Sequence, residues 1–131
     1  MILEPKPYTQ YLRDYQLADV TLDTFPYAGG TVSCESLWMG VPFISYAAPT
    51  PAGGGGASIL AAAGLKQLIA HSVEEYIELA VNLANHTEQL AAIRADLRQR
   101  TASSPLADGL RYTRALEGHF AAAVTAITQQ G

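Results

Sequence analysis

The sequence predicts an α/β domain in which a small parallel sheet comes first and helices gather at the C-terminal end. Three observations carry this. Short apolar runs that read as strands alternate with short helical segments in the first part of the chain. One unit of strand, turn, helix, turn and strand fits within residues 19–46, the pattern of a parallel pair joined by a right-handed crossover. From about residue 72 onward every periodic stretch has helical spacing. The 131 residues fit one domain, with an α/β part over about 1–71 and a helical part over 72–131.

Residues 1–3 are apolar and stop at Glu4-Pro5-Lys6-Pro7, which reads as the end of a short strand closed by two prolines. Tyr8, Tyr11, Leu12 and Tyr15 fall at helical spacing. Residues 19–23 (DVTLD) form a second short strand. Thr31 is placed to cap a helix over about 32–39, ended by Gly40, and a further strand starts at Val41. Residues 47–57 contain Gly53-Gly54-Gly55-Gly56 and read as a flexible loop, because four glycines make a poor element interior. A short helix over 58–63 ends at Gly64, and residues 65–70 hold a last short strand. Ser72 and Glu75 have the spacing of a capping box, opening a helix whose apolar face is Tyr76, Ile77, Ala80, Val81 and Ala84. Leu90, Ile93 and Leu97 mark the next helix, and Ser103-Ser104-Pro105 breaks it. Asp108 then caps a last helix with Tyr112, Leu116, Phe120, Val124 and Ile127 on one stripe.

Composition narrows the function classes. Nearly half the residues are apolar, and the net charge is -4. There is no basic footprint for nucleic acid and no Lys/Arg cluster for an anionic membrane surface. Apolar runs break well short of a membrane span, and the N-terminus has no basic region followed by an apolar one, so no signal peptide is expected. A single cysteine, Cys34, excludes an intramolecular disulfide and reads as a packing residue. The scattered His71, His86 and His119 give no zinc pattern and read as surface or helix-end residues. No metal or other cofactor is expected, and the default location is cytoplasmic.

In an open α/β sheet, ligands sit at the carboxyl ends of strands near helix N-termini. Two loops qualify. In the first, Gly29-Gly30-Thr31 puts backbone N–H groups at a helix start, where they and the positive dipole end suit a phosphate. Taken alone, that step equally fits a tight turn with a helix cap, and spacing favours the turn. Glu35, a turn further on, can accept two hydrogen bonds from a ribose diol. Pattern alone favours simple dipole compensation there, worth about 0.3–1 kcal/mol. The second loop, residues 47–58, either covers a ligand or merely connects. Asp23 reads as a structural turn residue at a strand end, and Trp38 as core.

In combination these residues resemble a known family. Gln16-Leu17-Ala18-Asp19-Val20 and LDTFPYAGGTVSCESLWMGVP (22–42) strongly resemble the C-terminal part of O-linked N-acetylglucosamine transferases and SPINDLY-type proteins, glycosyltransferase family 41. Ser58-Ile59-Leu60, Leu68-Ile69-Ala70, Glu74-Glu75-Tyr76 and Ser104-Pro105-Leu106 follow in order. YTQYLRD (8–14) also looks like related bacterial enzymes that glucosylate asparagine.

The resemblance implies the C-terminal, Rossmann-like half of a GT-B-type glycosyltransferase, with a UDP-sugar donor in the cleft between halves. It implies inverting transfer of a sugar, N-acetylglucosamine first, to Ser or Thr of an acceptor protein, with Asn as runner-up. Gly29, Gly30, Thr31 and Val32 fall at the diphosphate, Glu35 at the ribose, and Tyr11 and Asp14 at the base and ribose. Phosphate charge would be met by N–H groups, the helix end and basic side chains rather than by a metal.

The chain also departs from the pattern. Val32 replaces a hydroxyl residue, Asp14 stands where some animal enzymes have Arg, and the loop 52–56 carries glycines and no Arg. Each lost charge-assisted bond is worth roughly 1.5–3 kcal/mol, so two would turn a micromolar site into a millimolar one. The N-terminal half supplies the remaining active-site groups, so turnover by this chain alone is not expected. A stand-alone nucleotide-binding module and a purely structural interaction domain are the competing readings. Apolar cleft and stripe surfaces make a homo-oligomer a candidate partner state.

Overall fold

The computed structural model describes residues 4–129; the strand end expected at residues 1–3 lies outside them. Helix α1 (Tyr8–Asp14) runs into a 3-10 turn (Tyr15–Leu17) and is followed by β1 (Thr21–Leu22), α2 (Thr31–Trp38), β2 (Phe43–Tyr46) and α3 (Gly55–Ala62). A second 3-10 turn (Lys66–Leu68) leads into β3 (Ile69–Ala70), and then α4 (Val73–Asn85), α5 (Thr87–Ala102) and α6 (Gly109–Thr128) complete the chain. The sheet is parallel, in the order β1-β2-β3. Thr21 lies opposite Phe43 and Tyr46 opposite Ala70. The strands are shorter than the apolar runs suggested, because only their paired centres form ladders.

Strand β2 is the middle strand, and its Phe43, Ile44 and Ser45 are all buried, as expected for a parallel strand covered on both faces. Leu37 of α2, Ile59 and Leu60 of α3, Tyr76 and Leu83 of α4, and Leu90 and Leu97 of α5 close one core around it. Gly40 ends α2 with φ +80°, a left-handed position that glycine adopts without steric cost. Ser72 caps α4 by accepting from the Glu75 N–H at 3.1 Å, and the Glu75 carboxylate reaches back to the His71 N–H at 2.7 Å. This is a capping box shifted by one residue on its return bond.

Four expectations change. Thr31 is the first residue of α2 rather than its cap; Gly30 holds the cap position and no side chain caps the turn. The glycine run is not a loose loop: α3 begins at Gly55 and Gly56 is buried. On α4 the buried residues are Tyr76 and Leu83, with Leu79 and Ala80 packed beside the core. Ile77 and Val81 of the expected face are more than half exposed, because the side that meets β2 and β3 is rotated from the one chosen by hydropathy. Trp38 is 40% exposed, and the Arg98 guanidinium lies 5.0 Å from its ring centroid, a cation–π contact at the surface rather than a core position. Helix α6 has the expected Asp108 cap, to the Arg111 N–H at 2.9 Å, but its Tyr112, Phe120, Val124 and Ile127 are exposed.

The burial of Gly56 has a specific cause. A Cβ built there would overlap the Asp23 carboxylate and the Ser45 hydroxyl. Gly56→Ala is therefore expected to destabilise the fold by about 1–3 kcal/mol, the usual cost of forcing extra volume into a packed site. Gly54→Ala, where a Cβ meets only ordinary contacts, serves as the control, and urea unfolding of the two variants measures the difference.

Candidate functional site

The site begins at the carboxyl end of β1. Asp23 is 8% exposed, and a buried carboxylate needs a full set of donors. One oxygen accepts from the Gly29 N–H at 2.7 Å and the Thr24 N–H at 3.1 Å; the other accepts from the Ser45 hydroxyl at 2.6 Å. The Tyr76 hydroxyl donates to the Asp23 carbonyl at 2.8 Å, and the Ala28 N–H donates to the Ala52 carbonyl at 3.0 Å. The segment between β1 and α2 is thereby tied to the sheet, to α4 and to the glycine segment. It delivers the start of α2 to the surface, where Gly30, Thr31 and Val32 are exposed. With no side-chain cap, the amides of this first turn lack the intrahelical partners that later turns have.

Gly29 lies in the same turn, but its N–H is committed to Asp23. A Cβ there would also run into Ser33 and the Asp23 carboxylate. Its role is to let the turn close on Asp23, which leaves Gly30, Thr31 and Val32 as the exposed residues of this helix start.

Helix α1 brings the second half of the site. Tyr8 donates to one oxygen of Glu35 at 2.8 Å, and Tyr11 donates to the other at 2.9 Å. The Tyr11 and Tyr15 hydroxyls lie 2.8 Å apart, and Tyr15 also reaches the Val32 carbonyl at 3.1 Å. A phenol has one proton, and the carboxylate takes that of Tyr11 because the charge-assisted bond is the stronger. Tyr15 is then the donor to Tyr11 or to Val32. Burial, then the bonds to Tyr15 and Glu35, pushes the Tyr11 phenol well above its ordinary range. The bond to Glu35 raises Tyr8, and burial raises Tyr15. The rings of Tyr8 and Tyr11 stack at 6.1 Å, and Tyr15 meets the edge of Tyr11 at 5.6 Å.

Asp14 does not reach Glu35. It pairs with Lys6 at 2.9 Å, and the two line a groove of about 670 Å³ with Tyr11, Tyr15 and Val32. Thr31 and Glu35 open instead on a neighbouring groove of about 460 Å³ with Tyr8 and Trp38. The structure thus joins Tyr11 directly to Glu35, sets Asp14 across one groove from Val32, and places Thr31 beside Glu35 on the other. A groove of about 780 Å³ between Asp19 and α5 holds none of these residues, and its Arg94 is taken up by Asp19 at 2.7 Å.

Sequence reasoning missed Tyr8, Tyr15 and Lys6 as site residues. The tyrosines are visible as a helical stripe, but spacing does not show which partners their hydroxyls meet. Lys6 carried the signal of a cation held between two prolines.

This architecture, a parallel sheet with helices and a candidate site at its carboxyl edge, is an α/β unit, and its likeness to a solved O-GlcNAc transferase makes it one of the GT-B type. The family model described as Glycosyl transferase family 41 matches residues 4–116, and the chain belongs to that family. The chain is 44% identical over 110 residues to a probable UDP-N-acetylglucosamine–peptide N-acetylglucosaminyltransferase SPINDLY of Petunia hybrida, covering 84% of this chain and 12% of that protein. It is 37% identical over 113 residues to a probable UDP-N-acetylglucosamine–peptide N-acetylglucosaminyltransferase SEC of Arabidopsis thaliana, covering 86% and 12%. Among solved structures, a mutant of the Thermobaculum terrenum O-GlcNAc transferase superposes with a TM-score of 0.84 at 40% identity, covering 90% of this chain and 23% of that one. The chain therefore spans about an eighth of the length of these curated relatives.

The phenol cluster sets an alkaline limit on stability. Tyrosines whose folded pKa is raised keep their protons after the unfolded chain has begun to lose them near pH 10. Their contribution is complete below that pH and is lost as pH rises through the folded values. Urea unfolding between pH 8 and 11.5 is expected to show stability falling from about pH 10 upward, with a shallower fall in Tyr11→Phe. An identical slope in the variant would remove the cluster as the cause.

Proposed function

We propose that this chain forms the UDP-sugar-binding side of a protein glycosyltransferase that transfers a sugar, N-acetylglucosamine first, to Ser or Thr of a protein acceptor with inversion. The observation that carries the reading is the meeting of Glu35 with Tyr11 beside an uncapped helix start. In it an anion-binding helix end, a carboxylate for a diol and an aromatic surface for a base lie within a few residues of one another. The diphosphate sits at the amides of Gly30, Thr31 and Val32, where the helix dipole favours negative charge. Glu35 accepts the ribose hydroxyls. Tyr11 offers its ring to the base, with Asp14 beside it. Gly29 acts through the turn and not as a donor. The printed names of the relatives, which carry UDP-N-acetylglucosamine as donor and peptide as acceptor, support the choice of ligand.

In this reading the diphosphate charge is met by oriented N–H groups, and no metal takes part. The groups that move the proton and hold the acceptor come from a partner half of the enzyme, so the 131-residue chain does not turn over alone. Sugar transfer to peptide by the purified chain would refute that part.

Binding is checked by titrating UDP against the chain and following backbone amides by NMR. Gly30, Thr31 and Val32 are expected to shift, and Glu35→Gln to weaken UDP about tenfold, the equivalent of one charge-assisted hydrogen bond. Unmoved amides at millimolar UDP would leave only a structural role for this turn.

A further inference from the structure

Tyr8 takes up both kinds of contact that a nucleoside would use here. Its ring stacks on Tyr11, with centroids 6.1 Å apart and planes at 29°. Its hydroxyl donates to Glu35 at 2.8 Å. An aromatic plane on Tyr11 and a hydroxyl on Glu35 are the two features expected of a base joined to a ribose. We propose that Tyr8 is an internal plug of the nucleoside subsite: it occupies Tyr11 and Glu35 in the free chain and is displaced when a uridine nucleotide binds. The inference rests on the reading of Tyr11 and Glu35 given above.

The two tyrosines on Glu35 differ in how they are held. The Tyr11 hydroxyl has two partners, Glu35 at 2.9 Å and the Tyr15 hydroxyl at 2.8 Å, and the Tyr15 ring lies against its edge. Tyr8 is 61% exposed. It is the first residue of α1, directly after the extended Pro7, and no side chain caps that end of the helix. It lines the groove of about 460 Å³ onto which Thr31 and Glu35 also open, so its ring stands in the space the nucleoside would take and leaves it by swinging out to solvent. Displacing Tyr8 breaks one exposed hydrogen bond and one stacked contact, whereas displacing Tyr11 would also break its bond to Tyr15. Tyr8 is thus the exchangeable partner of Glu35 and Tyr11 the fixed one.

A plug lowers apparent affinity by the fraction of time the site is free. If Tyr8 fills the subsite nine-tenths of the time, binding is weakened about tenfold. The test titrates UDP against the wild-type chain, Tyr8→Phe and Tyr8→Ala by calorimetry, with the Tyr8 and Tyr15 ring resonances followed by NMR in the wild type. The expected result is tightening by about threefold to tenfold in Tyr8→Ala, an intermediate gain in Tyr8→Phe, and a large UDP-induced shift of the Tyr8 ring with little change at Tyr15. Unchanged or weaker binding in Tyr8→Ala, with the wild type still binding UDP, overturns the plug and leaves the nucleotide site standing, with Tyr8 as a bystander or as one of its walls. Absence of UDP binding in all three proteins overturns the nucleotide reading and the plug together.

Discussion

Asp23 accepts three hydrogen bonds at the end of β1, from the Gly29 and Thr24 amides and the Ser45 hydroxyl. The rest of the carboxyl edge is arranged around that requirement. A carboxylate taken out of water must have its solvation replaced, and here the replacement fixes the positions of three chain segments. Ser45 stands in the middle strand with no exposure, so its hydroxyl needs the carboxylate as much as the carboxylate needs it. Gly29 closes the turn that starts α2. Gly56 stays bare because Asp23 and Ser45 fill the space its side chain would enter. Through this one group the aim of α2, the seat of α3 and the middle strand are coupled, and the exposed amides of Gly30, Thr31 and Val32 inherit their position from it.

The part of this arrangement legible in the sequence was the part written in local pattern. Gly40 after a helical run, Asp108 before one, and Ser72 with Glu75 are signals that act within a turn of the chain, and the structure uses each, the last with its return bond moved to the His71 N–H. The relations that escaped are those between distant segments. Nothing near Gly56 announces that a carboxylate 33 positions earlier will take its side-chain space; four adjacent glycines read as slack until the partner is known. The same holds for α4, where hydropathy points to Ile77 and Val81 beside Tyr76, and only contact with β2 and β3 selects Leu83 instead. Trp38 was assigned by side-chain type, yet it lies on the α5 side of α2, where Arg98 covers its ring. In the candidate site, Glu35 and Tyr11 are legible through family resemblance, whereas Tyr8 and Tyr15 act through hydroxyls whose partners lie on α2, and Lys6 through a charge that meets Asp14 at the far end of α1.

Two of the departures from the family pattern also change meaning once neighbours are known. An acidic Asp14 in place of a cation looked like a net loss of positive charge near a diphosphate. Lys6, at 2.9 Å, neutralises that carboxylate, so the groove beside Tyr11 carries an ion pair rather than a bare anion. The glycines at 53–56 looked like the removal of a cation from a flexible loop. Part of that run is required by packing at Asp23, and the remainder forms the turn that leads into α3. The segment is a hydrogen-bonded turn rather than an unpaired connector: the N–H groups of Gly53 and Gly54 both donate to the Thr50 carbonyl.

The same reasoning separates what the fold completes internally from what it does not. The sheet, α2 to α5 and the Asp23 network satisfy their own polar groups, and among the described residues no buried side-chain nitrogen or oxygen lacks a partner. Other features stay open, two of them at the site and at the C-terminal end. One is the start of α2, whose amides have no capping side chain. The other is α6, a 20-residue helix with no buried residue, whose apolar stripe from Tyr112 to Ile127 faces solvent. Most helices in proteins draw their stability from packing of one face; α6 buries none of its residues, so it rests on its length, its Asp108 cap and its alanine-rich sequence. The closed core thus ends at two surfaces that it does not itself complete, the first turn of α2 and the stripe of α6.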